Sequence, residues 1–166
     1  WSIGALLLTL VLLFAFQGVQ IVRQPLIIAM LAVCVLLAWL GLPSFLSDQA
    51  PAGAWVTSVA GAFVGIWAVS TNRPGNFNIR PVPRAGARLI QQGPYRWIRH
   101  PMYTAVMACG IAAAWANTTW LAWLALCALV AVLVSKAVLE ERWMLLAHPG
   151  YAAYRRDTCW FLPWIA

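Results

Sequence analysis

Charge is scarce in this chain. Only 9% of its 166 residues are charged while 63% are hydrophobic, against roughly 25% charged in soluble globular domains, which excludes a water-soluble fold. There is no Gly-rich dinucleotide fingerprint and no room for a βαβ sheet, which excludes a Rossmann-type nucleotide domain. The four cysteines are scattered, with Cys34, Cys109 and Cys127 inside apolar runs and no two at metal-ligand spacing. They read as small core residues, and no metal site is expected. No long linker, repeat or low-complexity tract divides the chain, so residues 1–166 are expected to form one membrane domain.

The apolar residues fall in five runs, at about 2–22, 25–42, 53–72, 101–116 and 119–139. Roughly 20 such residues carry an α-helix across the hydrocarbon of a bilayer. The expected fold is therefore all-α and polytopic, with about five transmembrane helices, the last continuing to about 147. His148 stands before Pro149 and Gly150, where that helix should stop. The first run has neither the basic leader nor the small-residue cleavage site of a secretory signal and is read as a retained span. The fourth is short for a straight crossing, so its neighbours must bury its ends or the bilayer must adapt.

The net charge of +7 would in another setting suggest nucleic acid, but its distribution points to a membrane and to no nucleic-acid partner. Arg23 follows the first run. Arg73, Arg80, Arg84, Arg88, Arg96 and Arg99 lie between the third and fourth, and Lys136, Arg142, Arg155 and Arg156 lie at or after the end of the fifth. The connections after the second and fourth runs contain no Lys or Arg. By the positive-inside rule the N-terminus is expected outside and the C-terminus in the cytoplasm. Arg23, Arg155 and Arg156 are read mainly as orientation signals that touch anionic lipid headgroups. Among the eleven tryptophans, Trp1, Trp39, Trp55, Trp115 and Trp120 fall near the outer interface and Trp97, Trp143, Trp160 and Trp164 near the inner one, as amphipathic rings do at headgroup level.

The polar chemistry collects at one end of the expected bundle. The connection from Asn72 to His100 is rich in proline and glycine, which keeps it irregular. It also carries Phe77, Ile79, Leu89, Ile90, Tyr95, Trp97 and Ile98 as anchors, so it should fold back on the mouth of the bundle. It closes with GPYRWIRHPMY, residues 93–103. Pro101 suits the first turn of a helix, which puts His100 at the cap and Arg99 just before it, beside unpaired N–H groups and the positive end of the helix dipole. At the far end of the fifth run, SKAVLEERW places Glu140 and Glu141 at the same membrane face. Acids near the hydrocarbon are costly to bury and tend to be paired or functional. Successive helical residues point about 100° apart, so one of the two can pair with Arg99 or another loop arginine while the other faces a ligand. Lys136, four residues before Glu140, could instead make a local pair. Elsewhere, GAFVG at Gly61 to Gly65 has the spacing that lets two membrane helices approach closely. Gln17 and Gln20 share one face of the first run and should bond a neighbouring helix.

From about Asn76 to Trp164 the chain resembles the isoprenylcysteine carboxyl methyltransferase family, particularly its short prokaryotic members. GPYRWIRHPMY followed by EER looks like the family's RHPxY and Glu-Glu signature, and PGYAAYRRDTCWFLP is similar to its closing segment, with Tyr151, Tyr154 and Pro163 at matching places. Many members have histidine where this chain has Ala87 and glycine where it has Ala105. The resemblance implies a prokaryotic inner-membrane enzyme that binds S-adenosylmethionine without a Rossmann domain. The cofactor site it implies uses Leu89, Ile90 and Gly93 before the motif, Tyr95, His100, Pro101 and Tyr103 within it, and Glu140 and Glu141 from the fifth run. Arg99 would hold the reacting end of the substrate, and Glu141 would share the catalytic role.

The cofactor's charges match that set of residues: its carboxylate suits Arg99, His100 and the helix start, and its cationic groups suit the glutamates. The expected reaction is methylation of a lipophilic small molecule or lipidated group, with a carboxylate as first acceptor. A carboxylate needs no base, whereas an amine must first lose a proton, with Glu141, His100 or Tyr103 as candidate bases. The alternatives are a phospholipid or other amine N-methyltransferase, a nicotinamide-dependent membrane reductase with a related Arg-His-Pro, and a membrane interaction protein without activity.

Overall fold

The computed structural model describes residues 25–72 and 89–163. The expected span at 2–22 with Gln17 and Gln20, Arg23, the loop arginines Arg73, Arg80, Arg84 and Arg88, and Trp164 lie outside the described residues. Five α-helices follow one another: α1 (Pro25–Leu46), α2 (Ala52–Thr71), α3 (Pro101–Asn117), α4 (Trp120–Ala147) and the short α5 (Tyr151–Asp157), with one 3-10 turn at Gly93–Arg96. Among the described residues there is no strand, only an isolated parallel bridge between Ile98 and Cys159. The expected all-α class therefore holds for the described residues.

Among the described residues three helices are long and apolar enough to cross a membrane: α1, α2 and α4. α3 has 17 residues, about 25 Å at 1.5 Å per residue, short of the roughly 30 Å of hydrocarbon. It sits among α1, α2 and α4 and buries seven residues, five of them alanines. Small side chains let three neighbours close around it. α1 continues four residues beyond the expected end at 42, with Pro43 inside its last turn, where the ring removes one i→i−4 bond, that to the Trp39 carbonyl, without ending the helix.

Leu37 of α1, Ala113 and Ala114 of α3, and Ala122, Ala125, Leu126, Leu129 and Leu133 of α4 form the core. The outer surface is equally apolar: Val56, Val59, Phe63 and Ile66 on α2 are all at least 65% exposed. In water such a surface would be untenable, and against lipid it is the expected solvent-facing side. α2 meets α3 through GAFVG. A Cβ on Gly61 would lie 2.9 Å from the Ala108 Cβ, and one on Gly65 3.3 Å from the Ala105 Cβ, so the missing side chains are what allow the helices to touch. Ala105, where the resembling family often has glycine, is buried here because the facing helix supplies the glycine instead.

The turn from α3 to α4 occupies two residues, with Thr118 left-handed at φ 59° and Thr119 capping α4 by accepting from the Ala122 N–H. Asn117 Nδ2 donates to the Leu40 carbonyl at 2.7 Å and ties the turn to α1. So tight a connection makes α3 and α4 antiparallel, and the start of α3 comes to the same end as the close of α4.

Candidate functional site

The site is built where those two helix ends meet. Gly93 opens the 3-10 turn at φ +57°, a backbone conformation that glycine adopts freely, and a Cβ added there would collide with the Thr71 side chain at the end of α2. Trp97 packs on Trp67 of α2 with ring centroids 5.7 Å apart, which fastens the turn to the bundle. Residues 97–100 then run beside the tail. The Cys159 N–H donates to the Trp97 carbonyl at 3.0 Å, the Arg99 N–H to the Cys159 carbonyl at 2.8 Å, and the His100 N–H to the Trp160 carbonyl at 3.1 Å. As expected, His100 is the N-cap of α3 and Pro101 its first residue, with Pro101 wholly buried. α5 lies over the turn, Tyr154 donating its hydroxyl to the Tyr95 carbonyl at 2.7 Å. Thr104 donates to the Phe161 carbonyl at 2.6 Å.

Two linked ion clusters fill the junction. Arg99 Nε donates to Glu141 Oε1 at 2.6 Å, with both side chains almost out of water. Arg99 Nη1 also donates to the Arg155 carbonyl at 3.0 Å and to the Thr158 carbonyl. The other oxygen of Glu141 faces Arg155 Nε at 3.2 Å. In the second cluster Tyr103 donates its hydroxyl to Glu140 Oε1 at 2.6 Å. Lys136 donates to the same Oε1 and to the Tyr103 oxygen, with its ammonium 4.8 Å from the centre of the Tyr103 ring.

His100 stands between the clusters. Its Nδ1 is 3.7 Å from Glu140 Oε2 and its Nε2 is 3.5 Å from Glu141 Oε1, and its ring stacks on Tyr103 at 5.2 Å and 3°. The Nε2 approach is close enough for electrostatic attraction but lacks hydrogen-bond alignment, and among the described residues Nε2 is a buried nitrogen without a hydrogen-bond partner. Buried polar atoms are seldom left so.

Outside the spans, burial pushes the Tyr95 phenol up to about 12, with the negative charge of Glu140 adding to the effect. Burial likewise raises Tyr151 and Tyr154. These phenols are therefore neutral hydrogen-bond donors at physiological pH.

The structure brings Arg99, His100, Tyr103, Glu140 and Glu141 together, and the two glutamates divide their partners as successive helical residues can. The expected arginine pair and the expected local pair are both present, with Glu141 on Arg99 and Glu140 on Lys136. Tyr95 lies close by, its phenol within reach of the Glu140 charge. Leu89 and Ile90 are half-buried in the extended segment before the turn. Gly93 faces Thr71, so its local reason is packing against α2. His148 caps the end of α4.

Sequence reasoning undervalued three residues. Arg155 binds Glu141 rather than serving only as a lipid anchor. Lys136 does more than make a local pair, and a lysine inside an apolar run was itself a signal, since buried charge there is expensive. Thr158 contributes a backbone carbonyl, which no side-chain pattern announces.

Apolar helices with lipid-facing surfaces around a buried ionic junction define an integral membrane protein with a polar junction at one end of its bundle. A family model described as phospholipid methyltransferase matches residues 53–148, from the start of α2 through the end of α4. The chain thus belongs to the phospholipid methyltransferase family, within the isoprenylcysteine carboxyl methyltransferase-like clan of membrane methyltransferases that the motifs suggested, and acts on lipid-like substrates. Neither a curated protein nor a solved structure matches it.

Proposed function

We propose that the chain transfers a methyl group from S-adenosylmethionine to the amine of a phospholipid-like headgroup, with the lipid reaching the site from the bilayer and the cofactor from the cytoplasm. The donor set suits a zwitterionic, nucleoside-sized guest. His100 and the start of α3 offer partners to a carboxylate, and Glu140 and Glu141 offer them to cations. Tyr95, Tyr103, Leu89, Ile90, Gly93 and Pro101 would complete the surroundings. When bound, the sulfonium supplies an electrophilic methyl group, its carbon–sulfur bonding pair returning to sulfur. Helix-borne residues held in a packed junction can position and desolvate the reactants, which carries much of the catalysis in a displacement of this kind.

The observation that favours an amine is His100 Nε2, which makes no hydrogen bond among the described residues and lies 3.5 Å from Glu141 Oε1. An amine must shed a proton to attack, and His100 Nε2 is the basic atom best placed to take it. Glu141 is engaged by two arginines, and the Tyr103 hydroxyl already donates to Glu140. The carboxylate acceptor first expected from the sequence would have no use for such an atom. Arg99 has Nε and Nη1 committed to protein oxygens, so we assign it to holding Glu141 and the tail in place.

Calorimetric titration of folded, detergent-solubilised protein with S-adenosylhomocysteine tests the cofactor, and complete absence of binding at millimolar ligand would end the proposal. Incubation with methyl-tritiated cofactor and lipid extract tests the acceptor. Label stable to alkali is expected, as in a methylamine, and label released as methanol would mean an ester and hence a carboxylate.

A further inference from the structure

We infer that Lys136 receives an oxyanion of the lipid acceptor, and that it becomes available by exchange, when Glu140 turns from Lys136 to the cationic part of the cofactor. The inference rests on the reading of the site as one for S-adenosylmethionine and names what the acceptor must carry.

Lys136 is 3% exposed and lies one turn before Glu140 on α4, about 6 Å nearer the middle of the helix at 1.5 Å per residue. It is thus on the bilayer side of the junction, where a lipid arrives. A buried ammonium is tolerated only when paired. Lys136 has one carboxylate to pair with, because the chain has only four acids: Glu141 is held by Arg99 and Arg155, Asp48 follows α1 at the opposite end of the bundle, and Asp157 closes α5. Its remaining contacts are the Tyr103 oxygen and ring face.

Three cations, Arg99, Lys136 and Arg155, face two carboxylates, Glu140 and Glu141, so the junction already holds one positive charge in excess (3 − 2 = 1). A guest with an ammonium, a sulfonium and one carboxylate raises the excess to two. Arg99 and Arg155 retain Glu141, and Arg99 also retains backbone carbonyls. Lys136 is the cation whose sole carboxylate is shared with the incoming charge. An oxyanion beside the methylated atom restores the balance. A phosphodiester and a carboxylate both supply one, and neutral lipophiles do not.

Exchange at Glu140 makes the two ligands cooperative through Lys136. The test measures binding of a short-chain phosphatidylethanolamine, a long-chain fatty acid and a diacylglycerol to solubilised protein, with and without sinefungin, an unreactive analogue of S-adenosylmethionine whose extra amine keeps a positive charge in place of the sulfonium. Sinefungin should tighten an oxyanion lipid about tenfold, a common size for coupling between sites, and leave diacylglycerol unchanged. Tightening of phosphatidylethanolamine alone identifies the phosphodiester as the source, and tightening of the fatty acid alone identifies the carboxylate. Lys136→Arg should keep the coupling and Lys136→Met should abolish it. Should Lys136→Met not fold, Lys136→Met combined with Glu140→Gln removes both charges and should show the same loss. Coupling that survives in these variants, that is absent from the native protein, or that extends equally to diacylglycerol overturns the inference while leaving cofactor binding intact. Failure of the native protein to bind S-adenosylhomocysteine at all removes the functional reading beneath it.

Discussion

Arg99 and Glu141 stand 42 residues apart in the chain, yet the Nε of one donates to an oxygen of the other at 2.6 Å. The pair joins the start of α3 to the end of α4, and the same guanidinium reaches the tail at Thr158. One arginine thereby fixes three segments, and the site's geometry depends on it.

Breaking this pair should destabilise the fold by about 3–5 kcal/mol, the usual consequence of leaving one partner of a buried ion pair uncompensated. Glu141→Ala is expected to show the whole effect as a lower melting temperature in detergent. Glu141→Gln should show less, since an amide oxygen still accepts from Nε. Melting of Glu141→Ala at the native temperature would mean that the pair holds nothing together.

Gly93→Ala combines a left-handed backbone with a collision against Thr71. A strained non-glycine residue of this kind costs about 1–3 kcal/mol, and the turn carrying Tyr95 should loosen with it. Thr71→Ala in the same chain relieves the collision but not the backbone strain, so partial recovery of the melting temperature is expected. Full recovery would assign the requirement to space alone.

The tyrosines make the junction sensitive to alkali. The folded protein keeps the Tyr95 phenol neutral beyond the value of 10.0 for an unperturbed tyrosine, up to about 12. The stability this contributes is complete below pH 10 and is lost as pH rises from 10 to about 12. Tyr151 and Tyr154 are shifted in the same direction. Tyrosinate absorbance should therefore lag behind that of a free tyrosine, with helicity falling as it appears, and Tyr95→Phe should remove part of the signal. Tyrosinate forming at pH 10 with helicity intact would show these phenols to be solvated.

Much of the site was legible beforehand, for reasons that lie within short stretches of chain. Pro101 sets its own helix start and so places His100 at the cap. Adjacent glutamates on a helix must diverge, which is why Glu140 and Glu141 were expected to serve different partners. The spacing of GAFVG announced a close helix contact, and Gly61 makes it against Ala108 of α3. Lys136 was less clear, because the local pair four residues away explained it sufficiently until Tyr103 arrived from another helix.

By itself the sequence determined the membrane character, the limits of the four long described helices to within about four residues, though not the short α5, and the residue types at the junction, because hydropathy, proline geometry and helical periodicity act over a few residues at a time. The tertiary structure decided which charges meet. Arg155 on Glu141, Lys136 against Tyr103, the Thr158 carbonyl beneath Arg99 and the placement of His100 between the two glutamates all arise where separate helices and the tail converge. Ion pairing selects partners by distance in space, and in a packed helical bundle that distance bears no fixed relation to distance along the chain.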